Sequence, residues 1–220
     1  MNADAVRRQL RQRADELGLD FQRATQYYAM ERFLFRLSQS AWAERFTLRL
    51  DIGIDDAVVP APGWVDYPPL LDQPAPRILA YERATAVAEK FESIVVLGLI
   101  DSRMKDFYDL WMLAGTLEFD GPTLVSAFTA TFGARGTALP TDTPAALTVA
   151  FSEQAGTVAM WQAYRSRLAA SGIQAPSDLA GVLLEIAAFV LPPACAAAGG
   201  APFVQLWPPG MGWSPRSILD

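Results

Sequence analysis

All but two of the 18 basic residues in this 220-residue chain are arginine, and the exceptions are Lys90 and Lys105. An ammonium is a compact point charge and a guanidinium a planar fork, so a lysine kept in an arginine-rich chain suits a phosphate oxygen in a narrow pocket. Asp106 and Asp109 follow Lys105 and, at i and i+3, share one helix face. Lys105 and Asp109, at i and i+4, also make an ordinary surface pair, with Asp106 near the positive end of the helix dipole. Composition narrows the chemistry further. With no His, the chain cannot run Ser-His-Asp or Cys-His catalysis, ligate zinc or haem through imidazole, or sense pH through it. Its one cysteine, Cys195, leaves no internal disulfide, Cys-x-x-Cys redox pair or iron–sulfur cluster. Chemistry falls to carboxylates, amines, guanidinium groups, hydroxyls or a borrowed metal ion.

These residues need elements to position them. The periodicity predicts a helix over 82–99 whose apolar stripe uses Val87, Phe91, Ile94 and Val95; at about 100° per residue Lys90 borders that stripe. Its ammonium therefore reaches a cleft beside the core, or snorkels outward to pair with Glu89 or Glu92. The next helix, over 103–117, carries Lys105, Asp106 and Asp109, with Asp101 or Ser102 as its cap. Further helices are predicted over 122–132, 144–152, 157–170 and 176–191, with breaks at Asp120-Gly121-Pro122 and between Gly172 and Pro176. Upstream, helices over 4–18 and 21–40 precede a strand over 46–54, where Phe46, Leu48, Leu50, Ile52 and Ile54 alternate with polar residues. Met30, Phe33, Leu34 and Leu37 give the second helix an apolar stripe expected to face the core, with Glu31, Arg32 and Arg36 off it. Pro60, Pro62, Pro68, Pro69, Pro74 and Pro76 then predict an extended surface loop and the boundary between two regions, 1–80 and 81–220. The tail around Trp207-Pro208-Pro209-Gly210 and Trp213 is expected to wrap on the body through its rings.

The formal net charge is −6, which argues against a generic nucleic-acid coat. The first 50 residues carry +3 and the remainder −9, so the arginine-rich helices either meet a phosphate backbone or form a solvated face. No apolar run follows Met1, and Pro192 and Pro193 are expected to break the uncharged stretch after Ile186, so the expectation is a cytoplasmic protein that spans no membrane.

Several blocks resemble the AbiEii/AbiGii toxin family: Met30-Glu31-Arg32-Phe33-Leu34-Phe35-Arg36-Leu37-Ser38, Leu50-Asp51-Ile52-Gly53-Ile54-Asp55-Asp56, Tyr67-Pro68-Pro69-Leu70-Leu71, Tyr81, and Ala88-Glu89-Lys90-Phe91-Glu92. Asp101-Ser102-Arg103-Met104-Lys105-Asp106-Phe107-Tyr108-Asp109-Leu110 and Thr131-Phe132 with Arg135 continue the likeness in the same order. The resemblance implies a nucleotidyltransferase fold and a toxin of a toxin–antitoxin or phage-exclusion system, using an NTP and Mg²⁺, with tRNA as an acceptor and an antitoxin as partner. It implies catalytic roles for Lys90, Asp106 and Asp109: Lys90 contacts the triphosphate and the two carboxylates orient the cleft or its nucleophile. Lys105 is a second candidate for phosphate contact.

The chain departs from the family pattern in one block. Members carry a Gly-Ser or Gly-Gly turn after the first strand and then a metal-holding Asp-x-Asp pair, whereas Phe46-Thr47-Leu48-Arg49 runs directly into Leu50-Asp51-Ile52-Gly53. On a strand, Asp51 and Asp55 stand about 13 Å apart at roughly 3.3 Å per residue. Asp51 is left as the metal-ligand candidate, in the role of a supporting carboxylate. The fold expected is α+β, a reduced nucleotidyltransferase-like mixed sheet with packed helices followed by a helical C-terminal lobe, with exposed edges favouring marginal stability or self-association. Two functional readings stay open: NTP-dependent nucleotide transfer to RNA, or a catalytically inactive relative that binds a nucleotide, RNA or protein, or is a degenerate remnant.

Overall fold

A computed structural model describes residues 2–45, 47–48, 61–100 and 102–216. The chain divides into two compact units, one from the N-terminal segment with Pro62–Tyr81 and one holding the residues from Glu82 onward.

In the first unit, α1 (Ala3–Leu17) and α2 (Phe21–Ser38) form a helical hairpin. Asn2 caps α1 by accepting from the Ala5 N–H, and Gly18 ends it in the left-handed region at φ 64°, a conformation that favours glycine. Asp20 caps α2 through the Arg23 N–H. A mixed sheet of order β1-β3-β2 follows, with β1 (Thr47–Leu48) parallel to β3 (Arg77–Ala80) and β2 (Gly63–Asp66) antiparallel to it. The strand expected over 46–54 is described only at Thr47–Leu48. The proline-rich stretch is not loop throughout. Its prolines fall outside Gly63-Trp64-Val65-Asp66 and Arg77-Ile78-Leu79-Ala80, whose backbones keep every N–H needed for the ladder.

The stripe predicted on α2 holds at Leu34, 8% exposed, and in part at Leu37, but needs correction at its other two positions. Phe33 is 63% exposed and Met30 46%, while Glu31, placed off the stripe, is 1% exposed. The buried face is set by polar pairing: the Leu70 N–H donates to Glu31 Oε2 at 2.7 Å, and the Arg32 guanidinium pairs with Glu31 while donating to the Pro74 carbonyl at 2.8 Å. A carboxylate that collects an amide and a guanidinium recovers in charge-assisted hydrogen bonds what it loses in hydration.

The second unit is built on α3 (Arg83–Leu97), α4 (Met104–Thr116), α5 (Gly121–Arg135), α6 (Val149–Ser152), α7 (Ala155–Ala169) and α8 (Leu179–Gly199). Its core gathers Phe91, Phe107, Phe128, Phe132, Phe151 and Phe189, all at most 1% exposed. The region is helical as expected, with a small antiparallel sheet added, order β4-β5-β6, from β4 (Phe119–Asp120), β5 (Gln205–Trp207) and β6 (Ser214–Pro215).

Helix α8 runs on through Pro192 and Pro193 to Gly199, against the expected break. Pro193 has no N–H for the Phe189 carbonyl four residues earlier, and the indole N–H of Trp213 donates to that carbonyl instead, at 2.9 Å. The tail thus repairs the bond the proline removes. It also closes α4, where the Ala114 carbonyl accepts from Trp207 Nε1 at 2.8 Å and from the Gly210 N–H at 3.0 Å. By length and composition α8 is apolar enough to cross a membrane, yet it packs against α4, α5 and α6 with Leu183, Ile186, Phe189 and Val190 fully buried, as a core helix does.

Candidate functional site

Helices α3 and α4 bring the predicted residues together. Residues Ala84 through Glu92 of α3 are all buried, because α5 covers one side of the helix and α4 another. Gly98, at φ 52°, ends α3 and a short 3-10 turn leads toward α4. That reversal lays the first turn of α4 beside the middle of α3. Arg103, rather than the expected Ser102, takes the cap position of α4, without a side-chain bond; the other expected cap, Asp101, lies outside the described residues. Asp106, in that first turn, is committed elsewhere.

Lys90 is 5% exposed and its Nζ donates to Asp106 Oδ1 at 2.8 Å. The same ammonium lies 2.7 Å from Asp109 Oδ2, and Lys105 Nζ reaches that oxygen at 2.5 Å from the exposed side. Asp109 therefore bridges a buried and an exposed ammonium. Burial alone would lower the Lys90 pKa; hydrogen bonds to Asp106 and Asp109 outweigh it and raise the pKa above 10.5, so the ammonium stays charged. The outward alternative, pairing with Glu92, is not what forms. Glu92 accepts from Arg135 Nη1 and from Thr137 Oγ1, both at 2.6 Å, and so ties α3 to the end of α5.

One neighbour lies beyond the reach of the sequence reading. Tyr164 of α7 has its ring 5.9 Å from the rings of both Tyr108 and Trp161, and Arg167 lies over it at 5.8 Å. Its hydroxyl pKa is pushed up to about 12, first by burial and then by the negative charge of Asp109. Its only sequence signal is two aromatic pairs at i and i+3, Tyr108 with Trp111 and Trp161 with Tyr164, on helices far apart in the chain.

Magnesium does not fit the described part of this cluster. Both carboxylates already face ammonium groups, the four side chains sum to zero charge, and no group of three acidic, His or Cys residues that could hold a metal occurs among the described residues. The metal candidate Asp51 lies outside the described residues. What the arrangement can do is hold one permanently charged ammonium, screened from water, at a fixed place between two helices.

A mixed sheet with packed helices, followed by a helical region carrying a lysine–aspartate cluster, makes this an α+β protein. The chain belongs to the AbiEii family, described as nucleotidyl transferase AbiEii toxin of type IV toxin–antitoxin systems, whose model matches residues 3–181. Neither a curated protein nor a solved structure gives a significant match.

Proposed function

We propose that the chain is a nucleotidyltransferase-like toxin in which Lys90 contacts the phosphates of a nucleoside triphosphate, with Lys105 at the outer rim. Asp106 and Asp109 fix where the inner ammonium sits. The observation that supports this reading is the Lys90 ammonium, buried and held at 2.8 and 2.7 Å by two carboxylates from the next helix. A charge held in place in a water-poor site acts on phosphate oxygens more strongly than an exposed one. Nucleotidyl transfer joins an acceptor oxygen to the α-phosphorus as the bond to pyrophosphate breaks. The protein's part is to neutralise phosphate charge and keep the two oxygens in line. In this reading the acceptor is RNA, with tRNA the first candidate, an antitoxin is the partner, and the setting is the cytoplasm. The family also implies Mg²⁺, for which the described residues of the cluster offer no fit.

A second reading, a relative that binds a nucleotide, RNA or protein without transferring anything, is favoured by one specific observation. No Gly-Ser turn and Asp-x-Asp pair follows the strand at Thr47–Leu48. The deciding experiment incubates purified protein with each labelled NTP, Mg²⁺ and total tRNA, beside Lys90→Ala and Asp106→Ala. Label on RNA that disappears in both variants supports transfer. No label, with NTP binding weakened by Lys90→Ala, supports the binding-only reading. Absence of both label and NTP binding overturns both nucleotide readings.

A further inference from the structure

A nucleotide presents two unlike parts, a charged phosphate chain and a flat apolar base, and a site that accepts it needs a cation beside an aromatic face. Among the described residues of the second unit, two aromatic clusters contain tryptophan. Phe189, Phe203, Trp207 and Trp213 form one, and its indole N–H groups are used internally, Trp207 on the Ala114 carbonyl and Trp213 on the Phe189 carbonyl. That cluster is closed structure.

The other cluster differs. Trp111, Tyr108, Tyr164 and Trp161 follow one another at 5.9 Å between successive ring centres, across α4 and α7. Tyr108, Trp111 and Tyr164 are only partly buried, and no hydrogen bond to a described residue fixes either tyrosine hydroxyl. Tyr108 directly precedes Asp109, whose carboxylate touches Lys90, so the run of rings passes one residue from the partner of the buried ammonium. Tyr164 feels the charges of both Asp109 and Lys90. Tyr108 thus links the chain segment of the ion pair to the Tyr164 ring, over which Arg167 places an exposed cation.

We infer that Tyr164, supported by Tyr108, is the face on which the base of a nucleotide held at Lys90 stacks. The inference rests on the nucleotide reading above and adds a specificity residue that the cluster of ammonium and carboxylate groups does not supply. Base–aromatic stacking tolerates any base, because every base has a π-face, so the platform selects nucleotides over bare polyphosphates.

The test is calorimetric titration of the full chain, in Mg²⁺, with ATP and with tripolyphosphate, which carries the same phosphate chain without base or ribose. The expected result is that ATP binds roughly tenfold more tightly than tripolyphosphate. Tyr164→Leu removes that advantage and leaves tripolyphosphate binding in place, Tyr164→Phe restores it, and Lys90→Met weakens both ligands. Equal affinity of the wild-type chain for the two ligands overturns the stacking role alone. So does an advantage that survives Tyr164→Leu. Failure of the wild-type chain to bind either ligand overturns the nucleotide reading together with this inference. Because the first comparison uses only unmodified protein, it stands even where Tyr164→Leu does not fold.

Discussion

Lys90→Met separates what the cluster does for the fold from what it does for a ligand. Methionine keeps most of the lysine stem and deletes the ammonium, so packing changes little while two contacts, at 2.8 and 2.7 Å, are lost. Asp106, 9% exposed at its side chain, is left as a buried carboxylate without the ammonium; Asp109 keeps Lys105 at 2.5 Å. Removing one partner of a buried pair costs about 3–5 kcal/mol, and since one carboxylate keeps a counter-charge the lower end, about 3 kcal/mol, applies. With a urea slope of about 2 kcal/mol per molar, the unfolding midpoint falls by roughly 1.5 M. Asp106→Asn is milder, at about 1–2 kcal/mol, because Lys90 retains Asp109. The double variant regains much of the loss, since neither an ammonium nor its carboxylate is then left unpaired. Urea unfolding followed by tryptophan fluorescence at pH 7 measures this. A Lys90→Met midpoint within about 0.2 M (roughly 0.4 kcal/mol) of the wild type, or strict additivity in the double variant, refutes the buried-pair argument.

Three further outcomes are expected. At alkaline pH, Lys90 has a folded-state pKa raised above 10.5 and Tyr164 one raised from 10.0 to about 12. The stability both contribute is whole below about pH 10 and lost as pH climbs through the folded-state values, so wild-type stability falls between about pH 10 and 12 while Tyr164→Phe falls less, as thermal unfolding across that range measures. Gly121→Ala puts a Cβ 2.7 Å from both the Phe203 ring and its carbonyl and 2.8 Å from the Gln205 carbonyl. Backbone cannot yield as a flexible side chain would, so the variant loses about 1–3 kcal/mol and melts several degrees lower. In a cycle of Trp213→Phe and Pro193→Ala, the tryptophan change costs about 1 kcal/mol less in the Pro193→Ala background, because the alanine restores a backbone N–H that can donate to the Phe189 carbonyl; equal costs in both backgrounds remove the repair argument.

Sequence carried the helices well and their faces unevenly. Helices α3 and α4 formed where the 3.6-residue period put them, and Lys90, placed at the border of an apolar stripe, lies inside because α4 supplies the carboxylates that let it be buried. Asp109 was legible as the i+4 partner of Lys105, whereas its second contact to Lys90 depends on how two helices cross, which no local pattern encodes. The α2 stripe misled for a related reason: hydrophobicity scores Glu31 as outward, while an amide from Leu70 and the Arg32 guanidinium make the inward position favourable. At Pro192-Pro193 the local rule against helix continuation was overridden by a tryptophan about twenty residues later. Tyr164 was out of reach because it joins the cluster from a different helix, and its spacing to Trp161 reads equally as core.

These misreadings share a cause that bears on function. Glu31, Lys90 and the Phe189 carbonyl are each satisfied by a partner distant in sequence, so polar placement in this chain is a tertiary property. The Lys90–Asp106–Asp109 arrangement is electrically balanced once Lys105 is counted, and a balanced cluster does not draw a polyanion toward itself from a distance. On the nucleotide reading proposed above, a triphosphate has to exchange with one of the two carboxylates for the ammonium, and the accessible one is Asp109, held also by the 58%-exposed Lys105. If Lys105 draws Asp109 outward while a phosphate takes its place on Lys90, Asp106 remains behind to keep the ammonium aimed. On that reading the two lysines retained among arginines have separate work, one to meet the ligand and one to receive the carboxylate that makes way for it.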